Sequence, residues 1–257
     1  MTFKDHFSAQ ADAYARFRPQ YPDEMFAWLA TRTPGRRLAW DSATGNGQAA
    51  SGLRAHFRAV VGTDASPRQI ARAAATAGVR YAVCRSEAAA LRDGVADLVF
   101  VGQAVHWLDL PAFYEEVGRV TRPGGLLAVC GYGLLRIDPA LDAIVRVFYH
   151  DTVGPYWPPE RRIIERGYRD LPFPFATIGA PRFRMRRRWR LEELLGYLGS
   201  WSAVARYRAA RRSDPLPALG RALASVWADP TTVREVEWPL HLLVGRVAGS
   251  RADGREG

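Results

Sequence analysis

The chain has 257 residues and a mass of 28.6 kDa, room for one large domain or a domain with a sizeable insertion. Its 48% hydrophobic and 11% aromatic content excludes whole-chain disorder, and two cysteines, Cys84 and Cys130, exclude a disulfide framework. Thirty-six basic residues against 26 acidic ones leave a net +10, and Lys4 is the only lysine, so both a nucleic-acid partner and a plain compositional preference for arginine are open at this point.

In chain order, Pro22-Asp23-Glu24 opens a helix in which Met25, Phe26, Trp28 and Leu29 recur at helical spacing, and Pro34-Gly35 stops it. Arg37 to Trp40 reads as a short buried strand running into a loop, Asp41 to Gly47, with a helix following through about Phe57. Ala59 to Thr63 is a second strand ending at Asp64, and Ser66-Pro67 opens the next helix. Val79 to Cys84 and Ala96 to Val101 are the third and fourth strands. Helix 111–120 then leads through Arg122-Pro123-Gly124-Gly125 to a fifth strand, Leu126 to Cys130. Short apolar strands separated by helices predict a doubly wound α/β domain with a mostly parallel sheet. The alternation stops near Gly133. From there to about Pro230 the pattern is mainly helical with Pro-rich aromatic joints, and it is read as an inserted lid; Val233 to Val247 returns to the sheet as a late strand. The expected division is therefore 1–132, 133–230 and 231–257, with a frayed tail from Gly249.

No apolar run approaches the roughly 20 residues of a membrane span, and none follows Lys4 as a signal peptide would require. No Cys/His spacing suits zinc. A cytoplasmic protein with neither bound metal nor membrane partner is expected.

In an open α/β sheet, ligands bind beyond the carboxyl ends of the strands where strand order reverses, which points to Asp41-Ser42-Ala43-Thr44-Gly45-Asn46-Gly47. Gly45 and Gly47 allow close backbone approach, and Asp64, 23 residues after Asp41, is placed to accept from both hydroxyls of a ribose. A tight turn with a capping acid is the plainer account of the loop alone, and Gly45-x-Gly47-x-x-Ala50 also fits the dinucleotide fingerprint.

The wider pattern resembles class I S-adenosylmethionine-dependent methyltransferases, nearest to the branch with trans-aconitate and quinone-biosynthesis methyltransferases. The resembling pieces are Phe7-Ser8-x-x-Ala11-x-x-Tyr14-x-x-x-Arg18-Pro19-x-Tyr21-Pro22, Asp41 to Gly47, and Gly62-Thr63-Asp64-Ala65-Ser66. Ser86-Glu87-Ala88, Asp97-Leu98-Val99, Gln103-Ala104-Val105-His106-Trp107 and Arg119-Val120-x-Arg122-Pro123-Gly124-Gly125 complete the set. The resemblance implies a seven-stranded Rossmann-like methyltransferase fold, S-adenosylmethionine as cofactor, and methyl transfer to an oxygen or carbon of a small molecule such as a carboxylate or phenol. It also implies roles. Asp41, Ala43, Thr44, Gly45 and Gly47 would approach the methionyl and ribose portions, Asp64 the ribose hydroxyls, and Ala65, Ser66, Ser86 and Glu87 the adenine side; Gln103 completes the cofactor set. Tyr14 and Arg18 would close over the methionine end. Two departures stand out: Ala43 and Thr44 replace a usual glycine and cysteine, and Arg85 replaces a usual acid that accepts from adenine.

His106 and Trp107 follow the fourth strand and so face the expected methyl-transfer cavity. His106 is a candidate base or hydrogen-bond donor, with aromatic packing the equal alternative, and both residues are candidate substrate contacts. Glu115-Glu116 reads as a solvated face, and His6, His56, His150 and His241 as structural or solvated. Two further functions stay open: an RNA methyltransferase, suited to +10, and a nucleoside-cofactor-binding protein that has lost catalysis. Against nucleic acid, the charge is concentrated: Arg161 to Arg212 holds 14 arginines and four acids, a net +10. Its densest part, Arg182 to Arg190, alternates with period two, an amphipathic strand whose exposed like charges are expected to discourage edge pairing.

Overall fold

The computed structural model describes residues 19–248. Strands β1 (Leu38–Ser42), β2 (Ala59–Asp64), β3 (Val79–Val83) and β4 (Ala96–Gly102) fall on the apolar runs, as the sequence predicts, and β5 (Thr121–Tyr132) contains the expected Leu126 to Cys130 but begins earlier, taking in Arg122-Pro123-Gly124-Gly125. Helix α1 (Asp23–Arg32) precedes them, α2 (Gln48–Leu53) and α3 (Pro67–Ala71) follow β1 and β2, and α4 (Leu110–Val120) joins β4 to β5. Asp23 and Glu24 occupy the first turn of α1 and Arg32 its last, the order that complements the helix dipole. Asp109 caps α4 by accepting from the Ala112 N–H.

Seven strands run in the order β3-β2-β1-β4-β5-β8-β6, where β6 is Ala176–Ile178 and β8 is Arg234–Arg246. The pairs β1–β2, β1–β4, β2–β3 and β4–β5 are parallel, whereas β6 runs antiparallel to β8. Strand order reverses between β1 and β4, which opens a crevice at their carboxyl ends. Each face of the sheet is buried. One layer packs Met25, Phe26 and Leu29 of α1 and Leu53 of α2 against Leu98, Phe100 and Leu126. The other packs Phe113, Val117 and Val120 of α4 against Val99, Val101 and Val129. The sheet is therefore doubly wound, as expected.

Two buried carboxylates brace the amino-terminal side of the sheet. Asp97 accepts from the Arg37 and Leu38 N–H groups at 2.7 and 3.0 Å and faces Arg122 Nε at 3.0 Å, which ties the entry of β1 to β4 and β5. Glu116 overturns the solvated reading of its helix face. It is buried, accepts from the Ala89 N–H at 2.6 Å and holds the Arg119 guanidinium at 2.6 Å, whose other donors reach Asp93 and the Leu91 and Ala89 carbonyls. Glu115 alone is exposed.

The described residues fall into two compact units. One, the α/β unit, comprises Tyr21–Gly131, Ile163–Phe183 and the stretch from Leu240. The other comprises Tyr132–Arg162 and Arg184–Pro239. It contains α5 (Pro139–Val147), α7 (Leu191–Gly199), α8 (Ser202–Arg211) and α9 (Leu216–Trp227), with the short α6 (Arg162–Glu165) at the boundary. Strand β7 (Arg184–Trp189) lies in this unit, antiparallel to the first half of β8. The period-two alternation of the sequence is real: Met185 and Trp189 are buried while Arg184, Arg186 and Arg188 are exposed. One edge of β7 pairs with β8, where Glu235 and Glu237 face the arginines, with Arg184–Glu237 at 3.1 Å and Arg186–Glu237 at 3.5 Å. Behind the strand pair, Trp189, Tyr197, Trp201 and Trp238 form an aromatic core in which Trp238 Nε1 donates to Tyr197 Oη at 3.0 Å.

Among the described residues no helix is long and apolar enough to cross a membrane, and no group of three His, Cys, Asp or Glu is arranged to hold a metal.

Candidate functional site

Strand β1 delivers Asp41 and Ser42, both buried, to the crevice. The chain then turns through Ala43 and Gly45, with φ of +54° and +57°, and reaches Gly47 at φ +83°, the N-cap of α2. Only glycine adopts such values freely, so Ala43 carries about 1 kcal/mol of backbone strain. At Gly47 the neighbour matters as well: a Cβ there would stand 2.2 Å from the Tyr81 hydroxyl. At Gly45 the same space is open.

The Thr44 hydroxyl donates to the Asp41 carboxylate, and the Thr44 N–H donates to the Thr63 carbonyl at 2.8 Å, fastening the loop across to β2. Burial is the main cause that pushes the Asp41 pKa up to about 7; the charge of Asp64 adds to the rise, while the Thr44 and Ala50 hydrogen bonds oppose it. Asp64 ends β2 half-buried, and each of its oxygens accepts one backbone N–H, Oδ2 from Gly45 at 2.9 Å and Oδ1 from Ser66 at 2.8 Å. Ser66, just past Ala65, caps α3. Two carboxylates thus stand at the ends of adjacent strands, one sealed and one reachable.

Ser86, buried beyond β3, accepts from the Ser42 hydroxyl at 2.8 Å. Glu87 accepts from the Asp109 N–H at 3.0 Å, while the exposed Arg85 approaches it at 3.4 Å. After β4, Gln103 takes φ +57° and its N–H donates to the Cys130 carbonyl at 2.8 Å. Val105–Trp107 then forms a 3-10 turn in which the His106 and Trp107 rings are 4.6 Å apart, with His106 Nδ1 and Trp107 Nε1 buried.

A family model described as a methyltransferase domain matches residues 40–129, the stretch from β1 through β5. The sequence is 32% identical over 251 residues, 95% of each chain, to a Dictyostelium discoideum protein provisionally named a methyltransferase. A solved structure from Anaeromyxobacter dehalogenans, provisionally named a type II methyltransferase, aligns with a TM-score of 0.87 over 91% of this chain and 99% of that one, at 41% identity. The chain belongs to the class I S-adenosylmethionine-dependent methyltransferases. An uncharacterised methyltransferase of Mycobacterium tuberculosis is 36% identical over 125 residues, and this chain spans 50% of its length.

Within this methyltransferase, the loop after β1, Asp64, Ser66 and Ser86 are linked by hydrogen bonds into one cluster. Gln103, His106 and Trp107 follow β4, the strand beside β1, and Glu87 is tied to the N-cap of α4. Tyr14 and Arg18 lie outside the described residues. Tyr81 was missed from sequence. Its ring lies where a Cβ at Gly62 would need to be, 2.8 Å away, as its hydroxyl does for Gly47. The one signal for it was its place on the same face of β3 as Val79.

Proposed function

We propose that this methyltransferase binds S-adenosylmethionine across the carboxyl ends of β1 and β2 and methylates an oxygen or carbon of a small molecule, a carboxylate or phenol. The observation that carries the reading is the pair of acids: Asp64, oriented by two backbone N–H groups yet half-exposed, beside the sealed Asp41. Two backbone N–H donors fix the orientation of the Asp64 carboxylate, and a vicinal diol would donate to it. Asp41 titrates near neutrality because it is buried, so a cationic ammonium group would draw it into the ionised form. The open space at Gly45 lets a ligand lie directly on backbone.

The bound cofactor supplies a sulfonium that is primed to lose its methyl. The protein aligns the acceptor, excludes water and needs no acid–base pair for an acceptor that enters ionised. Ser86 and the backbone near Glu87 take the adenine side, where Arg85 offers no acceptor. His106 and Trp107 wall the acceptor side, with His106 receiving a proton when the acceptor is neutral. The RNA reading loses support, because the densest arginines face glutamates across β7 and β8.

Calorimetric titration with S-adenosylmethionine, S-adenosylhomocysteine, NADH and mixed tRNA tests the reading. Binding of both sulfur nucleosides and neither of the others is expected. Binding of NADH alone overturns the cofactor assignment, and tight tRNA binding that weakens steeply with salt revives the RNA function.

A further inference from the structure

In the unit that comprises Tyr132–Arg162 and Arg184–Pro239, helix α5 does not end as an α-helix. Phe148–Thr152 continues it as a π-helical turn, closed by the Val153 N–H donating to the Phe148 carbonyl at 3.0 Å. Such turns are rare, and they occur disproportionately at functional sites. Here the turn carries Tyr149, whose ring lies 5.1 Å from that of Trp157 and 5.6 Å from that of Trp201, with the two tryptophans 5.5 Å apart.

A cation is built into this aromatic group. The Arg161 guanidinium carbon stands 4.1 Å from the centre of the Trp157 ring, and Arg161 Nε donates to the Tyr149 hydroxyl at 2.6 Å, which restrains the plane of the guanidinium. Trp157 Nε1 is buried and has no hydrogen-bond partner among the described residues. A buried N–H left without an acceptor is costly, so its presence points to an acceptor that a ligand brings. Trp157 and Arg161 are themselves only half-buried, so the group is reachable from solvent. Indole and guanidinium have donors and no acceptors, which selects an anion, and the planar guanidinium matches a carboxylate in particular. Stacked at this distance, the ring N–H and the guanidinium can serve the two oxygens of one carboxylate.

We propose that Tyr149, Trp157 and Arg161 form a subsite that anchors the carboxylate of a flat methyl acceptor, an aryl carboxylic acid. The proposal rests on the methyltransferase reading above and narrows its acceptor class. Trp157 Nε1–H and the Arg161 guanidinium donate to the carboxylate, Tyr149 holds the guanidinium in place, and the aromatic rings give the acceptor's flat body an apolar contact. All three residues lie in the segment 133–230 that interrupts the α/β pattern, where acceptor recognition can vary without altering the loops after β1 and β2.

The test uses the full chain, saturated with S-adenosylhomocysteine and titrated calorimetrically with benzoate, phenyl phosphate and benzyl alcohol. Benzoate is expected to bind about tenfold or more tightly than either of the others. Arg161→Met keeps much of the stem, and Trp157→Phe keeps an aromatic ring but removes the N–H. Each weakens benzoate binding about tenfold, because a hydrogen bond to an anion is lost, and neither changes S-adenosylhomocysteine affinity. Arg161→Lys, a cation without the planar fork, recovers only part of the loss. If the group serves packing alone, the variants lower the urea midpoint and bind benzoate as the parent does, which overturns the proposal. Tighter binding of phenyl phosphate, or no benzoate binding to a chain that holds S-adenosylhomocysteine, overturns it as well. Failure of S-adenosylhomocysteine itself to bind overturns the methyltransferase reading, and with it the assignment of the carboxylate to a methyl acceptor.

Discussion

Replacing Asp41 by asparagine removes a buried charge while preserving shape and the oxygen that accepts from Thr44. In the ligand-free fold, burial raises the Asp41 pKa from 3.8 to about 7. A difference of about 3 units corresponds to ~4 kcal/mol at 1.36 kcal/mol per unit. Because the native value is the higher one, the fold favours the protonated acid. The stabilisation is therefore complete below about pH 4, is lost as pH rises to about 7, and changes no further above it. Roughly 2.5 kcal/mol of the loss falls between about pH 5 and 8. Urea unfolding of the ligand-free parent and Asp41→Asn proteins at those two pH values measures it. Other titrating groups cancel in the difference between the two proteins. The parent should lose about 2.5 kcal/mol more than the variant on going from the lower to the higher pH. Parallel behaviour within ~0.5 kcal/mol would show that the carboxylate ionises without difficulty and would refute the argument.

Four further outcomes are expected. If the cationic end of the cofactor pairs with ionised Asp41, calorimetry should find S-adenosylmethionine binding weakened about fivefold between about pH 7 and 6, with a proton released on binding; a flat profile refutes the pairing. Ala43→Gly relieves the positive φ and should raise unfolding free energy by up to about 1 kcal/mol, whereas a loss would show that Ala43 is not strained. Glu116→Gln leaves Arg119 with only the exposed Asp93 as a charged partner and should destabilise by about 2 kcal/mol in urea; since the Arg119 hydrogen bond, foremost, holds the Glu116 pKa low, its contribution in the parent is present above the usual glutamate range and fades in acid. Asp97→Ala strands Arg122 and two N–H groups and should cost about 3 kcal/mol or more, with a change under 1 kcal/mol counting against its bracing role.

The α/β pattern was legible because β1 to β5 are buried on both faces, so each strand is a short apolar run between helices that needs no partner to be recognised. The turn after β1 was legible for a related reason: positive φ at Gly45 and Gly47 favours glycine, and glycine is visible in sequence. Glu116 was misread beside Glu115, yet the spacing held the answer. Phe113, Glu116, Val117 and Val120 form one stripe at i, i+3, i+4 and i+7, and a charge on a buried stripe implies a partner. The partner of β7 was not assigned from sequence, although Glu235 and Glu237, alternating with Val236 and Trp238, carried the signal near the far end of the chain. The Tyr168 hydroxyl meets Gly131 through tertiary packing 37 residues apart in sequence, a contact without local periodicity.

The pairing of β7 with β8 also bears on misfolding. Opposite Arg186 stands Glu237 and opposite Arg188 stands Glu235, while Met185 pairs with Trp238 on the inner face. A slip of one residue would set arginines against Val236 and Trp238 and turn Met185 and Trp189 outward, losing charge complementarity and burial together. The arginines that give the chain its excess charge therefore act as a registration key: they make the wrong alignment of this hairpin-distant pair costly at each alternate position.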